Sequence, residues 1–390
     1  MRYQKYKADQ IFNGHHFLPT NQVLICEESG KIEAIVNEED AGEDILSLMG
    51  ILTPGFVNCH CHLELSHMKG LIPEKTGLVD FVLSIVAQRH FAEDEIKHAI
   101  DKAEKEMLAN GIVAVGDICN NLLTINQKSE GNLHYHNFIE VSSWLPQIAE
   151  QRMLKSKDYY NYFSILFSTS IVPHAPYSVS NELWKLLRPL YKNKIVSLHN
   201  QETAFEDELF QQKTGDFIRM YDKMKLDTSF YQPSGKSSLQ TYFPHLLDAE
   251  KIILVHNTFT KEGDIHYVQE TGRFQDVSFC ICINANLYIE QYVPPIELFR
   301  KNGCKLVIGT DSLASNNSLN MIDEMKTIQS HFPTIPLKEM LQWATINGAE
   351  ALNMSNTLGS FEKGKKPGIL LLTGIEKHTL SASTSVKRIK

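Results

Sequence analysis

The sequence predicts an α/β protein, a closed (β/α)8 TIM barrel joined to a small β-sandwich domain formed by the N- and C-terminal segments. Three observations predict it. The chain of 390 residues is longer than one hydrophobic core usually grows, so two domains are expected. Eight short apolar runs alternate with amphipathic stretches, the pattern of βα units around a parallel sheet. Short alternating runs punctuated by turn residues occupy both ends of the chain.

From Val23 to Val36 short apolar stretches flank Ser29-Gly30, which suits an antiparallel sheet. The Pro54-Gly55 turn then admits a new apolar strand and marks the domain boundary. Residues 1–54 with 356–390 are therefore assigned to the β domain and residues 55–355 to the barrel. The eight candidate strands are Gly55–Cys59, Ile112–Ile118, Tyr135–Val141, Phe163–Val172, Ile195–His199, Ile252–His256, Val277–Cys282 and Lys305–Gly309. Amphipathic stretches such as Ala92–Leu108, Asn181–Tyr191 and Pro295–Asn302 return the chain to the next strand. The polar stretch Gln212–Tyr242, with Pro233-Ser234-Gly235, reads as a lid or insertion between the fifth and sixth strands. Ile369–Leu372 belongs to a tail that rejoins the N-terminal sheet.

Composition narrows the function. Hydrophobic residues at 43% and charged residues at 22% are ordinary for a globular chain and argue against disorder and a membrane protein. A net charge of -8 provides no basic field for phosphates, so a small molecule is expected as partner rather than nucleic acid. The first residues lack the apolar stretch of a signal peptide, and a cytoplasmic location is expected. Seven cysteines, without a Cys-x-x-Cys pair, suit neither a disulfide framework nor a structural zinc knuckle.

The strongest chemical signal is His60-Cys61-His62 directly after the first barrel strand. Residues i and i+2 of an extended chain share a face, so both imidazoles can aim at one ion while Cys59 and Cys61 point outward. His199 ends the fifth strand and Asp311 follows the eighth. Carboxyl ends of barrel strands converge on one mouth, where distant residues can share a ligand. Three imidazoles and a carboxylate suit one divalent metal, Zn2+ foremost and Fe2+ second, with water completing a catalytic site.

The segments Pro54-Gly55-Phe56-Val57-Asn58-Cys59-His60-Cys61-His62-Leu63-Glu64, Ser197-Leu198-His199-Asn200-Gln201-Glu202, Leu254-Val255-His256-Asn257 and Gly309-Thr310-Asp311-Ser312-Leu313-Ala314-Ser315-Asn316 resemble the amidohydrolase superfamily, in its deaminase and chlorohydrolase branch. Gly348-Ala349-Glu350-Ala351-Leu352 extends the resemblance to the tail. It implies that His60, His62, His199 and Asp311 are metal ligands and that Glu202, His256 and Asp311 are catalytic. Two-metal branches take a bridging lysine from the fourth strand. Here Val172-Pro173-His174-Ala175-Pro176-Tyr177 offers a histidine instead, so one metal is implied.

Within that branch the resemblance is to adenosine-type and aminodeoxyfutalosine deaminases. It implies hydrolytic release of ammonia from an amino-substituted N-heterocycle, purine-like or nucleoside-like. A chlorohydrolase or cyclic amide hydrolase needs the same ligands and differs in pocket shape; a non-catalytic metal-binding scaffold would need neither Glu202 nor His256. Glu64, His174 and Asn286 are candidate substrate-binding residues. Glu140 faces either the mouth or the helices, and Asp117 is structural, paired or capping. The seventh strand departs from the family: Cys282-Ile283-Asn284-Ala285-Asn286 lacks the usual Pro and Ser, which puts the substrate-facing shape there in doubt. Barrel enzymes of this type often pair, so a homodimer is expected.

Overall fold

A computed structural model describes residues 3–390. The chain opens with β1 (Tyr3–Ile11), β2 (Gln22–Glu27), β3 (Ile32–Asn37) and β4 (Ile45–Pro54). Eight strands follow: β5 (Phe56–Cys61), β6 (Ile112–Cys119), β7 (His134–Val141), β8 (Ser168–Pro173), β9 (Ile195–Asn200), β10 (Lys251–His256), β11 (Val277–Ile281) and β12 (Lys305–Ile308). The chain closes with β13 (Ile369–Glu376) and β14 (Thr379–Arg388).

The two ends build one six-stranded sheet in the order β14-β13-β4-β1-β2-β3, so the tail does return to the N-terminal strands. Period-two alternation gives it two faces: Tyr6, Ala8, Leu24, Leu52, Ile369 and Leu371 share one buried cluster, while the intervening Ile51, Leu370 and Leu372 pack into the barrel's core.

The middle strands form a barrel of two four-stranded parallel halves, β5-β6-β7-β8 and β9-β10-β11-β12. Side chains inside and helices outside cover both faces, which is why β5, β6, β9 and β11 are buried along their whole length. The halves are sewn together at their carboxyl ends. The His199 amide donates to the His174 carbonyl at 3.0 Å, and the Thr310 and Asp311 amides both donate to the His60 carbonyl at 3.0 Å. Closure of the barrel and placement of these residues are thus one event.

Two local departures matter. The fourth strand begins at Ser168 rather than Phe163, because helix Ala149–Ser164 continues through Phe163. Phe163 is buried on the helix's inner face with Met153 and Ser156, whereas the following Ile165 and Leu166 are exposed; an apolar run of this kind has no period that separates helix from strand. On β5 the pairing with β6 slips between Asn58↔Val115 and Cys61↔Asp117, a bulge beside His60.

The polar insertion folds over the mouth. Its helix Asp216–Lys223 buries Phe217, Met220 and Tyr221, with Phe217 stacked on Tyr177 at 4.0 Å and Tyr221 on Trp144 at 4.3 Å. Arg219 ties it to Asp80 of helix Leu78–Gln88 through two bonds of 2.7 and 3.2 Å. Among the described residues no helix is long and apolar enough to cross a membrane.

Candidate active site

The mouth holds a cavity of about 440 Å3 lined by His62, His199, His256, Asp311, Glu202, Glu64, Glu140 and His174, with aromatic and aliphatic walls from Trp144, Tyr221, Phe81 and Ile85. Its floor is the cluster expected from the sequence. His62 Nε2 lies 3.2 Å from His60 Nε2 and 3.3 Å from His199 Nε2. Asp311 Oδ1 lies 3.3 Å from His60 Nε2 and 3.4 Å from His62 Nε2. One ligand atom each from His60, His199, His256 and Asp311 also falls within 4.8 Å of the others, so four imidazoles and one carboxylate share the floor.

Local structure explains how each is aimed. His60 and His62 share a face at the end of β5, while Cys59 turns outward so closely onto helix Ile346–Ala351 that a side chain at Gly348 would meet its sulfur at 3.1 Å. Asp311 and His256 have left-handed backbones, φ 57° and 72°, an arrangement that costs on the order of 1–3 kcal/mol for a residue with a side chain. Hydrogen bonds hold the turns: Asp311 by the His60 carbonyl, and the loop after His256 by Asn257 Nδ2, which donates to the Leu254 and Cys280 carbonyls. His199 Nδ1 donates to the His174 carbonyl at 2.8 Å, which leaves its Nε2 electron pair facing the cluster. Ser315 Oγ donates to Asp311 Oδ2 and leaves Oδ1 for the imidazoles. Glu202 Oε1 stands 3.6 Å from His256 Nε2.

The sequence model of the amidohydrolase family matches residues 51–388. The chain belongs to the amidohydrolase family. It is 24% identical to an adenosine deaminase of Helicobacter pylori over 336 residues, covering 84% of this chain and 80% of the relative. Its structure is similar to that of Helicobacter pylori aminofutalosine deaminase in complex with methylthio-coformycin, with TM-score 0.82 at 23% identity over 96% of this chain and 93% of that one. It is likewise similar to an adenosine deaminase from Xanthomonas campestris with bound zinc, with TM-score 0.71 at 22% identity over 95% of this chain and 84% of that one. These likenesses establish the barrel fold of this amidohydrolase.

Electrostatics show what the floor of the amidohydrolase can accept. Burial, with help from neighbouring imidazoles, drives His62 down to about 3 and His199 well below the ordinary imidazole value, so both are neutral electron-pair donors. Burial opposes ionisation of Asp311, but its hydrogen bond with His60 and the surrounding imidazoles outweigh it and hold the carboxyl well below its usual range. Burial, reinforced by Asp311 and Glu290, pushes Glu202 well above the ordinary carboxyl value, which favours its protonated form. Hydrogen bonds between these neutral nitrogens would require one ring of each pair to turn an N–H rather than an electron pair toward the other. A divalent cation fits instead: a tetrahedron with arms of about 2.0–2.1 Å has edges of about 3.3–3.4 Å, the spacing found here.

The remaining expected residues divide. Glu64 and His174 line the cavity. Burial raises Glu64 to about 7 and lowers His174 to about 4. Asn286, expected to touch substrate, instead lies wholly buried behind His256: its Oδ1 accepts from His256 Nδ1 at 2.9 Å and its amide donates to Thr258. Glu140 faces the mouth, where Asn120 links it to Glu64: the Asn120 amide N–H donates to Glu64 and its side chain to Glu140, each at 2.9 Å. Asn120, Trp144 and Tyr221 carried no signal in the sequence, since polar loop residues and buried aromatics are common everywhere.

Proposed function

We propose that this amidohydrolase is a hydrolytic deaminase that releases ammonia from a purine-like or nucleoside-like amino-heterocycle. We also take residues 1–54 with 356–390 as a β domain and residues 55–355 as the unit that carries the site. The observation that carries the reading is the set of 3.2–3.4 Å contacts among His60, His62, His199 and Asp311 with the Glu202–His256 pair beside it. These four residues would hold one divalent cation, and the zinc in the Xanthomonas relative favours Zn2+. The deaminase descriptions of the relatives favour the leaving group.

When bound, such a cation lowers the pKa of coordinated water to about 7 and so supplies a nucleophile near neutral pH. The Asp311 carboxylate takes a proton from the attacking water, and His256 Nε2 orients it. Glu202, whose protonated form its burial favours, donates to the ring nitrogen beside the attacked carbon and makes that carbon electrophilic. The proton held by Asp311 leaves with the amine as ammonia. The hydroxyl proton of the tetrahedral carbon returns to Glu202, so the product is an oxo heterocycle with a ring N–H. Glu64 and His174 contact the substrate from the cavity wall, whereas Asn286 acts through His256.

The test is ammonia release by zinc-loaded protein over adenine nucleosides, aminodeoxyfutalosine, guanine, cytosine and triazines, with Glu202→Gln beside it. We expect turnover of an adenine-type substrate, its loss on chelation, and a fall in kcat of about 10²–10⁴-fold in the variant. Turnover unaffected by Glu202→Gln overturns the mechanism.

A further inference from the structure

Lys128 and Asp117 are both completely buried and pair at 2.5 Å, outside the cavity. Lys128 comes from the short helix Ile125–Ser129 and also donates to Asn137 Oδ1 of β7 at 2.6 Å. Its ammonium also donates to Cys119 Sγ at 3.2 Å and lies 4.9 Å from the Tyr135 ring centre and 5.1 Å from that of Phe163, so the thiol and two aromatic faces enclose the charge. A buried ion pair is weak support for stability, because desolvation of both charges offsets most of their attraction. The pair therefore calls for a role in geometry.

That role is given by the second oxygen of Asp117. Its Oδ1 accepts the backbone N–H of Leu63 at 2.8 Å, and Leu63 directly follows His62. The same stretch is where the β5 ladder is irregular: three steps on β5, Asn58 to Cys61, run against two on β6, Val115 to Asp117. A bulge re-aims side chains but leaves the strand end without regular ladder bonds to hold it. Asp117 supplies a bond just past the bulge, and Lys128 and Asn137 fix the carboxylate that makes it.

We propose that the Asp117–Lys128 pair is a positioning device that sets the His60–His62 segment for cation binding. It touches neither substrate nor cation and acts through the Leu63 amide alone. The proposal rests on the reading of His60, His62, His199 and Asp311 as cation ligands.

The test is zinc affinity of the purified full-length apoprotein by chelator competition, together with its thermal midpoint. Asp117→Leu/Lys128→Met removes both charges and the acceptor; Asp117→Asn/Lys128→Met removes the charges and keeps a neutral acceptor. We expect the apoprotein midpoint of the second variant to stay near that of wild type and that of the first to fall modestly, because Leu63 N–H is left without an acceptor. Zinc affinity should fall by about 10- to 100-fold in the first variant, the range for groups that orient metal ligands, and by a smaller but measurable factor in the second. If the first variant does not fold, the second decides alone. Zinc affinity equal to wild type in a folded variant overturns the proposal. Wild-type protein that binds no zinc overturns instead the ligand assignment beneath it, so the two failures are distinguishable.

Discussion

Asn286→Leu isolates the group that aims His256. The substitution preserves approximate volume but removes the Oδ1 that accepts from His256 Nδ1 at 2.9 Å and the amide that donates to Thr258. His256 is buried, so no water replaces the lost acceptor. An orphaned buried N–H costs roughly 1–3 kcal/mol. The ring escapes that cost only by moving its proton to Nε2, which withdraws the electron pair from the cavity. Either way the competent form loses about 1–3 kcal/mol, equivalent to about 5- to 150-fold in kcat at 1.36 kcal/mol per decade. KM should change little, because Asn286 is not on the cavity wall. Steady-state ammonia release, with a thermal midpoint to verify folding, checks both. Asn286→Asp adds a sharper readout: burial already lowers the His256 pKa, and a new negative charge at Asn286's position raises it, moving the acid limb of the rate profile to higher pH. A folded Asn286→Leu protein with undiminished kcat, or with a change in KM alone, refutes the positioning argument.

Two further predictions concern stability. Burial raises Glu206 to about 8, so between about pH 4.5 and 8 the native state keeps a proton that the unfolded chain has released, and stability falls as pH rises through that window. Glu206→Gln, a neutral mimic of the protonated form, should flatten the slope of thermal midpoint against pH; parallel slopes for variant and wild type count against it. Gly309→Ala places a methyl group 2.8 Å from His60 Cβ and 2.9 and 3.0 Å from the Cys280 and Cys282 sulfurs. Overpacking of this kind costs about 1–3 kcal/mol and displaces His60, so both the thermal midpoint and the zinc content should drop; unchanged values for both would show that the site yields freely.

Hydrophobic patterning makes the barrel and most of its floor legible before any fold is seen. Continuous apolar runs such as Ile195–His199 and Lys305–Gly309 mark buried parallel strands, and the polar residue that ends such a run must stand at a carboxyl end, where all eight strands converge. His60, His62, His199 and Asp311 were legible for that reason, and the structure brings them to within 3.2–3.4 Å of their neighbours. The rest emerges from packing between elements distant in the chain. The start of β8 was hidden because Phe163 belongs to a helix face that reads like a strand. Asn286 turned from the cavity to the back of His256 because its neighbours in space, Thr258 and His256, come from β10 and the loop after it. Lys128 gave no sign at all, since a lysine in a polar stretch is ordinarily solvated and only the packing of β6, β7 and helix Ile125–Ser129 encloses it beside Asp117. Strand ends are a local property written in hydrophobic periodicity. Which side chains meet behind them depends on barrel closure and on a bulge of one residue, and neither has a period to read.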